Sequence, residues 1–307
     1  MVLCLIGINF PHKVTKVIPI FRNLAAVKFA VPMKSLLTLR KPQLITYPLA
    51  NGVVAFSTTR HGGYSTGAYA EFNITHYCND DPKAVRKNRE ALCQLLGIED
   101  NHLILPRQTH GTEVLHIDKA FLALPAEGRQ MALEGIDAVI TDVPGVCIGI
   151  STADCIPVLL YDTKRRIAAA VHAGWRGTVA RIVEKALTRM TEWYGTRQQD
   201  IVAQIGPGIS LASFEVGDEV YEAFQAAGFN MESISRRYEK WHIDLPQCNR
   251  LQLLECGVPE QSISLSSICT YQQHDTFFSA RRMGIESGRI FTGIMMNSFS
   301  DSAAHSS

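Results

Sequence analysis

The hydrophobic positions change period from one segment of the chain to the next, and each change marks an element. In DPKAVRKNREALCQLLGI, Val85, Leu92 and Leu96 recur at helical spacing. Asp81 suits the N-cap, Pro82 fits a first turn where its missing N–H costs nothing, and Gly97 supplies the exit. In DAVITDVPGVCIGISTADCIPVLLYD the pattern becomes a strand, a Pro-Gly turn and two apolar strand runs interrupted at Ser151–Asp154. RRIAAAVHAGW reads as another strand. Val179, Ile182, Val183, Ala186, Leu187 and Met190 then return to the helical period, which predicts one helix from about Gly177 to Tyr194. A strand through DIVAQIGPGIS, a helix from Asp218 to Ala227, a shorter helix around PQCNRLQLLECGV and a strand in SISLSSICT complete the reading. Helices and strands mix without strict alternation, so the expected class is α+β rather than a doubly wound parallel sheet.

Residues 40–296 contain no repeat, low-complexity linker or composition step, which predicts a single domain. The ends differ. No acidic residue precedes Glu71, whereas Lys13, Lys16, Arg22, Lys28, Lys34, Arg40 and Lys41 are basic. The opening runs from apolar to basic, the reverse of a secretory signal, and is poor in Ser and Arg for a transit peptide. Residues 1–39 are therefore expected to be a disordered basic extension outside the fold, with Met33 as the natural start. The small, polar residues 297–307 are expected to be a disordered tail.

Composition narrows the classes of partner. Of 307 residues, 46% are hydrophobic and 19% charged, with a net charge of +1, so the basic footprint of a nucleic-acid binder is missing. No apolar run reaches the ~18 residues of a membrane span, and no protein partner can be inferred. None of the eight cysteines forms a C-x-x-C pair. A chain of this length builds its own core without disulfides, so reduced thiols and a cytoplasmic location are expected.

Common catalytic patterns are missing too: no P-loop, no G-x-G-x-x-G after a strand, no H-E-x-x-H, no G-x-S-x-G, and no H-x-E…P-C-x-x-C of the zinc deaminases. No H-x-H pair occurs, which counts against a multi-copper centre. Three soft or borderline ligands remain at strand ends or turns: His110 in PRQTHGTEV, Cys155 in STADCIPVLL and His172 in AAAVHAGWRGTV. One thiolate and two imidazoles make a sensible zinc set with its fourth position open to chemistry. Spacing alone does not choose this reading over a buried thiol and a histidine bonded to backbone.

At these residues the chain resembles the YfiH-type family, also called laccase-domain proteins or multicopper polyphenol oxidases. The resemblance runs from about residue 43 to 296, through FSTTRHGGYSTGAYAEFNI, RQTHGTEV, DAVITDVPGVCIGISTADCIPVLLYD, AAVHAGWRGTVARIV, IGPGISLASFEVGDEV and ICTYQQHDTFFSARRMGIESGR. It implies a layered α/β/β/α sandwich with mixed sheets. It also implies a zinc-dependent purine nucleoside phosphorylase acting on adenosine, inosine or S-methyl-5'-thioadenosine, with adenosine deaminase activity, and His110, Cys155 and His172 as metal ligands. Purine nucleoside and phosphate are then the partners. The alternatives are a copper-dependent polyphenol oxidase, since such a site would also take Cu²⁺ in vitro, and a Cys-His hydrolase by analogy of fold.

The remaining candidates follow from the chemistry these activities need. Asp154 precedes the ligand cysteine and is a candidate catalytic proton carrier or support for the metal ligands. Arg176, expected just ahead of a helix after a turn at Gly174, and Arg60 beside Gly62 and Gly63 are candidates for phosphate. Arg281 and Arg282 are further cations of this kind. Gln108, two residues from His110 on a segment expected to be extended, shares its face. Asn73 is a candidate substrate contact, Trp175 a brace for the turn, and Cys269 a core residue.

Overall fold

The computed structural model describes residues 40–298. The extension expected over 1–39, Met33 within it, and all but the first two residues of the expected tail lie outside the described residues. Asn297, assigned to that tail, is tied back by its N–H to the Gly52 carbonyl at 2.9 Å.

The apolar runs of the sequence become the centres of two mixed sheets. A six-stranded sheet is ordered Ile263–Leu265, Ile201–Ile205, Ile156–Asp162, Ile167–Ala173, Ala138–Thr141, Val114–His116. Its two edge pairs are parallel and the rest antiparallel. A five-stranded sheet is ordered Leu44–Tyr47, Val53–Thr58, Ile290–Met296, Cys147–Thr152, Leu103–Ile104. A small three-stranded sheet joins Glu215–Val216, Trp241–Ile243 and Ser235–Arg237.

Alternation along the strands decides how these sheets stack. Ile156, Val158 and Leu160 face one side of the six-stranded sheet, while Leu159 and Tyr161 face the other. The first side packs on Ile182, Val183, Ala186, Leu187 and Met190 of one helix and on Leu253 of another. The second side, with Ala168 and Ala170, meets Ile148, Ile150, Ile294 and Met296 of the five-stranded sheet. That sheet turns Phe56, Cys147, Phe291 and Met295 outward onto Leu92 and Cys93 of the helix Pro82–Leu96. The layers run helix, sheet, sheet, helix, which is the α/β/β/α sandwich expected. The alanines of Ile167–Ala173 lie at its centre, fully buried on both faces.

The helix Pro82–Leu96 has the expected ends: Asp81 accepts from the Lys83 N–H at 3.0 Å, and Gly97 sits at φ 69°. The single helix expected from Gly177 to Tyr194 is instead two, Trp175–Val179 and Ile182–Tyr194. Arg181 between them adopts φ 61°, which breaks the helical path although nothing in its residue type marks it. The strand expected across SISLSSICT keeps only Ile263–Leu265.

Candidate metal centre

Two antiparallel neighbours in the six-stranded sheet bring the candidate ligands together. Cys155 stands one residue before the strand Ile156–Asp162, and His172 lies near the end of Ile167–Ala173, where its register partner is Pro157. His110 arrives on the loop before Val114–His116 and turns there at φ 63°. The donor atoms of His110, Cys155 and His172 all lie within 4.8 Å of one another, and they form the one such group among the described residues. Tetrahedral ligands at about 2.0–2.3 Å from an ion stand roughly 3.3–3.8 Å apart, so this set fits a single zinc-sized ion after a small contraction.

The turn chemistry differs from the sequence reading. His110 itself, rather than an adjacent glycine, carries a left-handed conformation at φ 63°, while the Ala153–Asp154 step ahead of Cys155 turns at Asp154, φ 90°. Gly174 has an ordinary φ of −68° and serves by lacking a side chain. A Cβ there would sit 3.0 Å from Cys155 Sγ and 3.0 Å from the His110 ring. The centre therefore closes around a space that only glycine leaves open.

Asp137, which the sequence reading passed over, organises two of the three ligands. It is fully buried ahead of the strand Ala138–Thr141. One carboxylate oxygen accepts from His172 Nδ1 at 2.7 Å and the His110 N–H at 3.0 Å. The other accepts the N–H groups of Gly111 at 2.8 Å and Thr109 at 3.2 Å. Burial pushes its pKa up, but the bonds and charge of His172 and the backbone donors more than offset this and hold it below the ordinary value. Burial likewise pushes the Cys155 thiol up, and the two imidazoles outweigh it to hold the thiolate. Burial lowers the pKa of His172, yet Cys155 and Asp137 together raise it above the usual imidazole value.

A cleft of about 280 Å³ opens over the three ligands. Gln108 and Asp154 are among the residues that line it. The Gln108 side chain bridges the backbone of Ser151, donating to its carbonyl and accepting from its N–H, both at 2.7 Å. Asp154 accepts from Thr270 Oγ1 and from the Arg281 N–H, also at 2.7 Å each. Tyr77, Ile209, Phe214, Ile285, Arg281 and Arg289 complete much of the wall.

Arg60, Asn73 and Arg176 are placed elsewhere, outside the cleft lining. Arg60 donates to the carbonyls of Ala70 and His274 and covers the Phe278 ring. Asn73 is fully buried, bonded to Asp80 and Thr75. Arg176 lies within the helix Trp175–Val179 rather than ahead of it, exposed, its guanidinium 4.2 Å from the Trp175 ring centre. Arg282 reaches Tyr271, Trp175 packs partly buried against the core, and Cys269 is buried as expected.

The family described as multi-copper polyphenol oxidoreductase laccase matches residues 54–297. The chain belongs to this family. Among its relatives is a purine nucleoside phosphorylase of Bacteroides thetaiotaomicron, 54% identical over 79% of this chain and 91% of the relative. Another, from an unknown prokaryotic organism, is named adenosine deaminase RL5, 46% identical over 79% of this chain and 94% of its own length. The crystal structure of YlmD from Geobacillus stearothermophilus superposes with a TM-score of 0.78 at 29% identity, covering 85% of this chain and 99% of that one. The family's description thus names copper and phenols, while these two relatives are named for purine nucleosides. Among the described residues no helix is long and apolar enough to cross a membrane.

Proposed function

We propose that this chain is a zinc-dependent purine nucleoside phosphorylase that also deaminates adenosine, acting at the cleft over His110, Cys155 and His172. The observation that carries the reading is that these ligands open into a cleft with both apolar and cationic walls. Three protein ligands are the number found in catalytic zinc sites, whereas structural sites use four. The bound ion supplies Lewis acidity towards a substrate oxygen or a water.

Around it, Ile209, Phe214 and Ile285 offer apolar surface to a flat base. Arg281 and Arg289 line the cleft and supply the positive charge that phosphate needs, in place of Arg60 and Arg176, which lie outside its lining; the Arg281 guanidinium also donates to the Glu215 carbonyl, and that of Arg289 to the carbonyls of Ile285, Ser287 and Gly288. Each oxygen of Asp154 accepts one hydrogen bond, so it holds Thr270 and Arg281 at the cleft and keeps lone pairs free for a proton-carrying role. The volume is of the order expected for a small-molecule site. The seven cysteines among the described residues are all free, which supports a cytoplasmic setting.

Copper-dependent phenol oxidation is the second reading, favoured by the family's description. A single three-ligand group among the described residues speaks against a multi-copper centre. Copper in a preparation decides nothing, because Cu²⁺ outranks Zn²⁺ for almost any such donor set. The chain Cys155–His172–Asp137 also has the order of a thiol hydrolase; activity that rises on metal removal would mark that role.

Protein of defined zinc content, incubated with adenosine or inosine with and without phosphate, tests the reading. Free base and ribose 1-phosphate that require phosphate, together with inosine formed from adenosine, are expected. No turnover, alongside phenol oxidation that scales with copper, would reverse the assignment.

A further inference from the structure

We propose that Asp137 is the positioning residue of the metal centre: it selects the His172 tautomer that can bind the ion and holds His110 in its left-handed turn. The inference rests on the metal reading above and is independent of the purine chemistry.

A carboxylate only accepts hydrogen bonds. At 2.7 Å from Asp137, Nδ1 of His172 must therefore carry the proton, which leaves the lone pair on Nε2 for a ligand. The His172 backbone is fixed by the same residue, its N–H donating to the Asp137 carbonyl at 2.8 Å. The second ligand depends on the same carboxylate by another route. A non-glycine residue at φ 63° is disfavoured by contacts of its Cβ, and His110 holds that conformation while three successive N–H groups, of Thr109, His110 and Gly111, converge on Asp137. About four lone-pair sites are available on a carboxylate; four donors use them at 2.7–3.2 Å, and the Thr109 hydroxyl is a more distant fifth at 3.5 Å. With the side chain fully buried, no water can replace any of them. One residue thus sets the tautomer of one imidazole and the backbone path of the other.

Asp137→Asn is the informative change, since it keeps the shape and removes one acceptor. If the amide oxygen stays with the turn, its NH₂ faces Nδ1 and forces the proton onto Nε2, where it blocks the metal. If the oxygen faces Nδ1, it keeps the His110 N–H, but the NH₂ meets the N–H groups of Thr109 and Gly111, and the turn loses those two anchors. Either way zinc affinity falls, by about 10–100-fold. The probe is zinc alone, titrated against a chromophoric chelator, with circular dichroism confirming that the variant is folded. Wild-type affinity in folded Asp137→Asn would overturn the proposal.

Nitrogen NMR of zinc-loaded wild-type protein provides a second reading that needs no variant. It should show His172 protonated at Nδ1 and metal-bound through Nε2. A purely structural buried aspartate has no need to produce this pattern, and ligation through Nδ1 or an unprotonated Nδ1 refutes it. Wild-type protein that takes up no zinc would sink the metal reading itself. Zinc uptake without purine turnover would sink only the proposed activity.

Discussion

Adding one methyl group at Gly174 should separate metal binding from folding. Its φ of −68° and ψ of 169° are comfortable for alanine, so the backbone pays no strain. The new Cβ would stand 3.0 Å from Cys155 Sγ and 3.0 Å from the His110 ring, while the nearest His172 atom, at 3.8 Å, is undisturbed. Heavy atoms in ordinary contact settle at about 3.5–4.0 Å. Two of the three ligands must therefore give by a few tenths of an ångström, more than the ~0.2 Å tolerance of a metal–ligand bond. Zinc affinity of Gly174→Ala should fall by at least about tenfold, or ~1.4 kcal/mol. Stability of the metal-free protein should change little, because replacing glycine restricts the unfolded chain by about 0.4–1 kcal/mol and offsets the local crowding. Zinc titration and urea unfolding in chelator, run on the same sample, read the two effects separately. Wild-type zinc affinity in Gly174→Ala would show that the space between the ligands is not what shapes the centre.

Other consequences can be measured alongside it. Arg281→Gln removes a charge from the cleft rim and should raise KM for phosphate about tenfold or more, lowering phosphorolysis relative to deamination of the same adenosine; an equal fall in both would place Arg281 on the nucleoside instead. Asp154→Ala leaves Thr270 and the Arg281 N–H without their acceptor and should cost about 1–3 kcal/mol in urea unfolding, with a higher KM for nucleoside as the rim loosens; unchanged stability and KM would show that this tie is idle. Removing the metal with a chelator should abolish both purine reactions and lower the unfolding free energy by ~4 kcal/mol relative to protein held at about 1,000 times Kd; re-added zinc should restore both quantities, and activity that persists without metal argues against the centre.

Much of the fold was legible because its strongest signals are local. The capped helix Pro82–Leu96 and the central strands Ile156–Asp162 and Ile167–Ala173 carry their own apolar patterns, and the structure keeps them where the patterns predict. Arg181 shows the limit: a left-handed arginine has no mark in its residue type, so the helix break was invisible. The five-stranded sheet was only partly read, because Val53–Thr58 and Ile290–Met296 pair residues 235 or more apart and join only through tertiary pairing. The ligand trio was visible as three residue types at turns. Their convergence depends on the pairing of two strands and on a loop, and spacings along the chain do not encode that.

The arginines divide for a related reason. Arg60 and Arg176 sit beside the glycines that make anion loops plausible, but the fold places both outside the cleft lining. Arg281 and Arg289 reach the cleft because Asp154 and Asn73 anchor their backbone N–H groups across 127 and 216 residues. Asp137 did leave a trace in the sequence. A single acid entering the mostly apolar run AVIT must find partners when buried, and that need could have singled it out.

The most direct measurement is X-ray absorption at the zinc edge of the loaded protein, with the metal-to-chain ratio determined on the same sample. One zinc per chain is expected, bound by a single sulfur at about 2.3 Å and by nitrogen or oxygen at about 2.0–2.1 Å, with the sulfur contribution lost in Cys155→Ala. A zinc shell without sulfur, or one left unchanged by Cys155→Ala, would contradict the account.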